Sequence, residues 1–282
     1  MHWSAPLCIV AVSPRHNPIQ TVEDIVFTIR TLNTISPVGL RELPDDSFTV
    51  GPDSPDADAI IVRSADLHAV EFPPQLKAIA RAGAGVNNIP VDRCSEHGIV
   101  VFNTPGANAN SVKELVVAGL LLASRDIHGG VGWVRSASDS DDLEKQVEKE
   151  KKRFAGQEIM GKTLGVAGLG AIGVMVSNAA EALGMRVIGF DPFISVESAW
   201  GLAREVERAQ TLEALLKQSD YVTLHVPLND DTRGMINKET IAAMRKGCRL
   251  LNFARGPLVD EAAILEALDQ RKVGSYVTDF PT

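Results

Sequence analysis

Gly168-Leu169-Gly170-Ala171-Ile172-Gly173 is the segment whose residue types and spacing imply chemistry most directly. Glycine at the first position permits a tight turn out of a strand. The second lets the backbone approach a pyrophosphate, and the third lets the following helix pack closely on the strand. Unpaired amides at the start of that helix then favour negative charge. Strand-like text, T-L-G-V-A, precedes the motif and amphipathic text follows it. Asp191 closes the next apolar run, Arg186–Phe190, 23 residues beyond Gly168. A carboxylate there accepts both hydroxyls of a ribose and repels a 2′-phosphate, so the spacing points to NAD rather than NADP. The competing reading is a glycine-rich turn that holds no ligand.

Other chemistry-bearing residues are sparse. Cys8, Cys94 and Cys248 lie far apart with no C-x-x-C pair, so neither a disulfide framework nor a metal site is expected. His225, in L-H-V-P-L, is by residue type a candidate proton carrier. His97 is expected near a helix C-terminus, where a cationic imidazole is favourable, and His68 has no evident partner.

These residues need an alternating scaffold, and the chain supplies one. Short apolar runs at Phe27–Thr31, Ala59–Val62, Lys77–Ala80 and Ile99–Asn103 read as buried strands, with a helix at Val91–His97 ended by Gly98. A long helix is expected over Ala109–Ile127, after which Gly129, Gly130 and Gly132 loosen the chain. Asp139–Arg153 is almost wholly polar and reads as a solvated helix. From Lys162 onward, strands at Thr163–Ala167, Arg186–Phe190, Tyr221–Val226, Arg249–Phe253 and Ser275–Asp279 alternate with helices at Ala171–Leu183, Leu212–Gln218, Lys238–Met244 and Asp260–Gln270. The expectation is therefore an α/β protein of two doubly wound parallel-sheet lobes. Residues 1–26 form an extension outside the fold, 27–104 a flavodoxin-like lobe and 105–282 a Rossmann domain.

Composition sets the outer bounds. The chain has 282 residues, 45% hydrophobic and 23% charged, with 28 basic against 36 acidic residues. The net charge of −8 and a pI near 5.3 argue against binding a phosphate backbone, so no nucleic-acid partner is expected. Apolar runs such as Leu115–Ala123 fall well short of the ~18 residues that span a bilayer, so no membrane partner is expected. No Lys or Arg precedes the apolar stretch Ala5–Val12, which argues against a secretory signal and for a reducing, cytoplasmic setting.

The glycine motif, Y-V-T-L-H-V-P-L at Tyr221–Leu228, L-L-N-F-A-R-G-P-L-V-D at Leu250–Asp260 and S-Y-V-T-D at Ser275–Asp279 occur in an order that resembles the D-isomer-specific 2-hydroxyacid dehydrogenases, especially their phosphoglycerate-oxidising branch. The likeness covers roughly residues 27–282. It implies an NAD-dependent enzyme that oxidises the C2 hydroxyl of a small, phosphorylated D-2-hydroxy acid, as at the entry to serine biosynthesis. It makes 27–104 the substrate-binding lobe and 105–282 the NAD-binding domain, joined at Asn103-Thr104-Pro105-Gly106. Arg255 then matches the family's catalytic arginine, gripping the substrate carboxylate and polarising its carbonyl, a task suited to a guanidinium fork. Cofactor contacts are implied at Gly168, Gly170, Ala171, Ile172, Gly173, Asp191, Pro192, His225, Val226, Pro227, Thr232, Ala254, Arg255 and Asp279. Substrate contacts are implied at Arg63, Arg81, Ala84 and Gly85, with the amides of Arg81–Asn87 forming an anion nest. The polar stretch up to Arg153 stands where the family has its dimerisation arm, so a homodimer or higher homo-oligomer is expected.

Alternatives stay open at several of these positions. Arg63 also fits a surface salt-bridge partner, and Gly83 and Gly85 also fit a plain tight turn. The family transfers its proton through a histidine held by a glutamate. Both lie beyond the segment matching D-F-P-T, so the 282 residues are expected to be a fragment of a longer protein or a natural truncation with impaired chemistry. The other functional readings are a dehydrogenase for an unphosphorylated D-2-hydroxy acid and a dinucleotide-sensing, corepressor-like binding protein.

Overall fold

The computed structural model describes residues 26–137 and 142–280. The extension assigned to 1–26 lies almost wholly outside them, as do residues 139–141 of the polar stretch. The chain divides into two compact units between Thr104 and Pro105.

In the first unit, β1 (Phe27–Leu32), β2 (Phe48–Gly51), β3 (Ala59–Val62), β4 (Ala78–Arg81) and β5 (Val100–Phe102) form one sheet in the order β2-β1-β3-β4-β5, and every pair in it is parallel. This is the flavodoxin-like order. β2 is absent from the expected strands, because F-T-V-G is too short to show alternation. Helical cover among the described residues is slight: α1 (Pro37–Leu40) has four residues and α2 (Val91–Glu96) six. Ile60, Val62, Leu67, Ile79, Ile89, Cys94 and Ile99 make the core. Gly98 follows α2 at φ +69°, the left-handed conformation that ends a helix. Arg93 closes the far side of this core. Its guanidinium donates to the carbonyls of Leu67, His68 and Val70 at 2.8–3.0 Å and lies over the Phe72 ring.

In the second unit, β6 (Thr163–Ala167), β7 (Arg186–Phe190), β8 (Glu207–Arg208), β9 (Tyr221–Leu224), β10 (Cys248–Asn252) and β11 (Val273–Thr278) form a parallel sheet in the order β11-β10-β9-β6-β7-β8. Counted from β6, this is the Rossmann order, which reverses direction between β6 and β9. Near-continuous apolar strands are what a sheet covered on both faces requires. β6 and β9 are buried at every position. The crossover helices include α6 (Ala171–Ala182), α8 (Leu212–Gln218), α9 (Lys238–Ala243) and α10 (Glu261–Asp269). Thr211, Asn237 and Asp260 each cap a helix start with a side-chain acceptor. α7 (Val196–Gly201) and the two-residue β8 were not expected.

The expected helix Ala109–Ile127 is two helices, α3 (Ala109–Ser124) and α4 (Ile127–Ala137), bent by 69° at the break. The glycines expected to loosen the chain lie inside α4. Local propensity is overridden by specific contacts. Asp126 Oδ1 accepts the Gly129 amide at 2.9 Å, Gly130 faces the Phe154 ring, and Trp133 packs on the same ring. At the end of α3, Arg249 from β10 donates to the Ala123 carbonyl at 2.7 Å. The polar stretch forms α5 (Leu143–Glu150) and a 3-10 turn at Lys151–Phe154. No single helix among the described residues is long and apolar enough to cross a membrane.

Candidate active site

In the second unit the expected cofactor residues gather at the carboxyl ends of the strands, where open parallel sheets bind ligands. Gly168 leaves β6 at φ +94°, and a Cβ there would lie 2.5 Å from the carbonyl oxygen of His225, beyond β9. The turn therefore sits at the reversal of strand order and leaves no room for a side chain. A Cβ on Gly173 would lie 2.0 Å from the Gly168 carbonyl oxygen, which is the close helix–strand approach expected of the third glycine.

Gly170 differs from both. It is the N-cap of α6, makes no side-chain cap, and a Cβ on it would meet nothing within 4 Å. Among the described residues the amides of Gly170, Ala171, Ile172 and Gly173 find no acceptor. The result is an open cradle of unpaired N–H groups at the positive end of a helix, which fits a pyrophosphate. Asp191 stands beside it at the end of β7. Its Oδ2 accepts the Leu169 amide and its Oδ1 the Phe193 amide, both at 2.8 Å. The carboxylate thus ties the glycine turn to the end of β7. Each oxygen keeps one further acceptor site for a ribose hydroxyl. Pro192 and Phe193 follow it, both exposed to solvent. The residues present fit NAD.

After β9 the backbone passes through His225, Val226 and Pro227. Val226 packs on the main core of this unit. Thr232 closes the loop that follows: its hydroxyl donates to the Pro227 carbonyl at 2.6 Å and accepts the Asn229 amide at 2.9 Å. His225 Nε2 lies 3.0 Å from the buried Thr223 hydroxyl, whereas its buried Nδ1 has no partner among the described residues. Burial pushes this imidazole down to about 4, so it is neutral near pH 7. A proton carrier needs a pKa near the working pH, and His225 is not tuned for that task. Neither cysteine among the described residues is poised as a nucleophile: burial raises the Cys94 thiol, and burial followed by the Asp220 charge pushes Cys248 up to about 12.

Arg255 lies three residues past β10 in extended backbone, part-exposed, with Nη1 2.6 Å from the Ala254 carbonyl oxygen. Asp279 follows β11 and is exposed. Sequence reasoning missed Asn252, a wholly buried amide at the end of β10 that bonds the Ala254 and Arg255 backbone. Its signal was present as the one polar residue in L-L-N-F.

In the first unit, Arg81 ends β4 and Arg63 follows the neighbouring β3, and Arg81 Nε donates to the Arg63 carbonyl at 3.2 Å. Asn33, at φ +68°, accepts the Ser64 and Ala65 amides with one side-chain oxygen at 2.9 and 2.8 Å, which clamps the turn after Arg63. Gly83 is at φ +158°, and the amides of Ala84 and Gly85 find no acceptor among the described residues. His68 does have a partner: its Nδ1 is 2.6 Å from Asp66, whose carboxyl is lowered chiefly by accepting the His68 amide. His97 caps the end of α2 with Nδ1 2.8 Å from the Arg93 carbonyl.

Comparison with known proteins agrees with this geometry. Residues 117–282 match the family model described as the D-isomer specific 2-hydroxyacid dehydrogenase, NAD binding domain. A D-3-phosphoglycerate dehydrogenase of Methanocaldococcus jannaschii is 42% identical over 227 residues, 79% of this chain and 41% of that protein. A hydroxypyruvate reductase of Thermotoga maritima is 41% identical over 222 residues, 78% of this chain and 67% of that protein. The chain thus spans about two fifths of the first relative's length. Among solved structures, the NAD+-bound 3-phosphoglycerate dehydrogenase of Entamoeba histolytica superposes with a TM-score of 0.70 at 27% identity, covering 91% of this chain and 81% of that one. The D-mandelate dehydrogenase of Rhodotorula graminis superposes with a TM-score of 0.73 at 26% identity, covering 90% and 81%. With the open glycine cradle, Asp191 and a family match over more than half its length, the chain belongs to the D-isomer-specific 2-hydroxyacid dehydrogenase family and carries that family's NAD-binding domain.

Proposed function

We propose that this chain serves the NAD-dependent oxidation of the C2 hydroxyl of a D-2-hydroxy acid, with 3-phosphoglycerate as substrate and 3-phosphohydroxypyruvate as product. When bound, NAD would supply the hydride acceptor. Gly170–Gly173 would hold its pyrophosphate and Asp191 its ribose diol, leaving Asp279 and Arg255 at the same carboxyl edge of the sheet. Arg255 would grip the substrate carboxylate, using the fork geometry that lysine lacks. The observation that supports the phosphorylated substrate is the Arg81 guanidinium, which donates to the Arg63 backbone carbonyl beside the unbonded amides of Ala84 and Gly85. A guanidinium held against Gly83 and a small nest of N–H groups, with the exposed Arg63 one residue past the neighbouring strand, suit a dianion better than a neutral hydroxyl.

Reduction of unphosphorylated hydroxypyruvate is the second reading, favoured by the relative of that name, which is matched over 67% of its length. Steady-state turnover with 3-phosphoglycerate and with D-glycerate, in an active, extended form that carries the family's histidine and glutamate, separates the two. Arg63→Ala should raise KM for 3-phosphoglycerate at least ten times more than KM for D-glycerate, and the difference should shrink with salt as exposed charges are screened. Equal changes for both substrates would make Arg63 a surface residue and leave the unphosphorylated reading.

A further inference from the structure

We propose that Asn252 is a positioning residue that sets the backbone from which Arg255 acts. The proposal rests on the assignment of Arg255 as the carboxylate grip. Asn252 is the last residue of β10 and is fully buried. Its Oδ1 accepts the Ala254 amide at 3.2 Å, while Nδ2 donates to the Arg255 carbonyl at 2.8 Å and to the Tyr276 hydroxyl at 3.3 Å. One side chain thereby holds an N–H and a C=O on the two sides of the Ala254–Arg255 segment, and β11 holds that side chain in turn. The free end of the arginine folds against the same segment, through Nη1 and the Ala254 carbonyl. The Arg255 carbonyl also accepts the Leu258 amide at 3.3 Å, at the start of the 3-10 turn Gly256–Leu258. Among the described residues the Ala254 amide has Asn252 as its acceptor, so the side chain sets the segment between the strand and that turn.

The chemistry demands asparagine. Two donor hydrogens and a separate acceptor are needed at one site, and the amide of asparagine is the smallest side chain that offers them. Aspartate would set a second acceptor against the Arg255 carbonyl. Leucine fills a similar volume but removes the acceptor of the Ala254 N–H and leaves the Arg255 carbonyl only the Leu258 amide. Displacement of a gripping group by about 1 Å costs on the order of 10²-fold in catalysis, so the brace matters even though it never touches a ligand.

The test needs no turnover. With NADH bound, 3-phosphoglycerate can be titrated by calorimetry in a complex where both partners are already reduced. Arg255→Ala should weaken 3-phosphoglycerate about 100-fold. Asn252→Asp and Asn252→Leu should each weaken it 10- to 100-fold, and Tyr276→Phe, which removes only the longest of the three bonds, only a few-fold. Asn252→Leu added to Arg255→Ala should bring no further loss, because the brace acts through the arginine. Hydrogen exchange at the Ala254 amide, read without any ligand, should accelerate in every Asn252 variant. Unchanged protection at Ala254, or a loss from Asn252→Leu that persists in full in the Arg255→Ala background, overturns the proposal. An Arg255→Ala variant that binds 3-phosphoglycerate normally while Ala254 loses protection would instead remove the carboxylate-grip assignment and leave the brace standing.

Discussion

Asp191 is the residue through which cofactor choice can be tested most sharply, and the structure changes how the test must be designed. A ribose-selecting carboxylate that stood free could be truncated with harm to NAD alone. Here each carboxylate oxygen already accepts a backbone amide, Leu169 through Oδ2 and Phe193 through Oδ1. Truncation therefore releases the glycine turn as well as the ribose, and release of the turn harms both cofactors. The two effects separate only in a ratio. A hydrogen bond to a charged group contributes about 1.5–3 kcal/mol, which is roughly 10–150-fold in affinity. The turn's contribution enters the dissociation constants of NAD and NADP alike and cancels between them. Asp191→Asn should thus lower Kd(NADP)/Kd(NAD) by at least about 10-fold, although both constants rise. Asp191→Ala should show a similar fall in the ratio with a larger rise in each constant, because it returns neither amide a partner. Titration by protein fluorescence at low and high salt resolves one further part. Repulsion of a 2′-phosphate is screened over about 10 Å at 0.1 M salt, so the parent's ratio should fall with salt while that of Asp191→Ala stays flat. A ratio unchanged by either substitution would mean that Asp191 is a clamp for the turn and has no part in reading the ribose.

Two further outcomes follow from the same strand ends. Gly170→Ala should leave the melting temperature within a few degrees of the parent yet weaken NAD at least 10-fold, whereas Gly173→Ala, whose Cβ would meet the Gly168 carbonyl at 2.0 Å, should lose stability first; the reverse order in thermal melts and NAD titrations would refute the cradle. His225 predicts a pH dependence: its folded pKa of about 4 lies below the unfolded value near 6.5, so its contribution is complete above pH 6.5 and is lost as pH falls toward 4. By linkage the loss is about 2 kcal/mol at pH 5, and urea unfolding at pH 7 and pH 5 should show that much less pH sensitivity in His225→Gln than in the parent.

What was legible in the sequence follows the range of the forces involved. Gly168 and Gly173 are readable because their demand is steric and local: a positive φ and a backbone contact five residues away are written in the residue type. The second sheet is largely readable because strands covered on two faces must be buried throughout and mostly apolar, as Thr163–Ala167 and Tyr221–Leu224 are. The break between α3 and α4 is not readable, because it depends on Arg249 donating to Ala123 across 126 residues. The glycines of α4 misled for the same reason: Phe154, more than twenty residues on, supplies the surface that makes a flexible run helical. The site divides along the same line. Residues that would touch a ligand, such as Asp191 and Arg255, stand at strand ends where spacing reveals them. Those that hold them in place do not. Asn252 reaches Tyr276 on a neighbouring strand, and Asn33 reaches Ser64 and Ala65 from the end of β1. A motif therefore names the groups that meet the ligand, while the buried amides that fix their geometry come into view only with the fold.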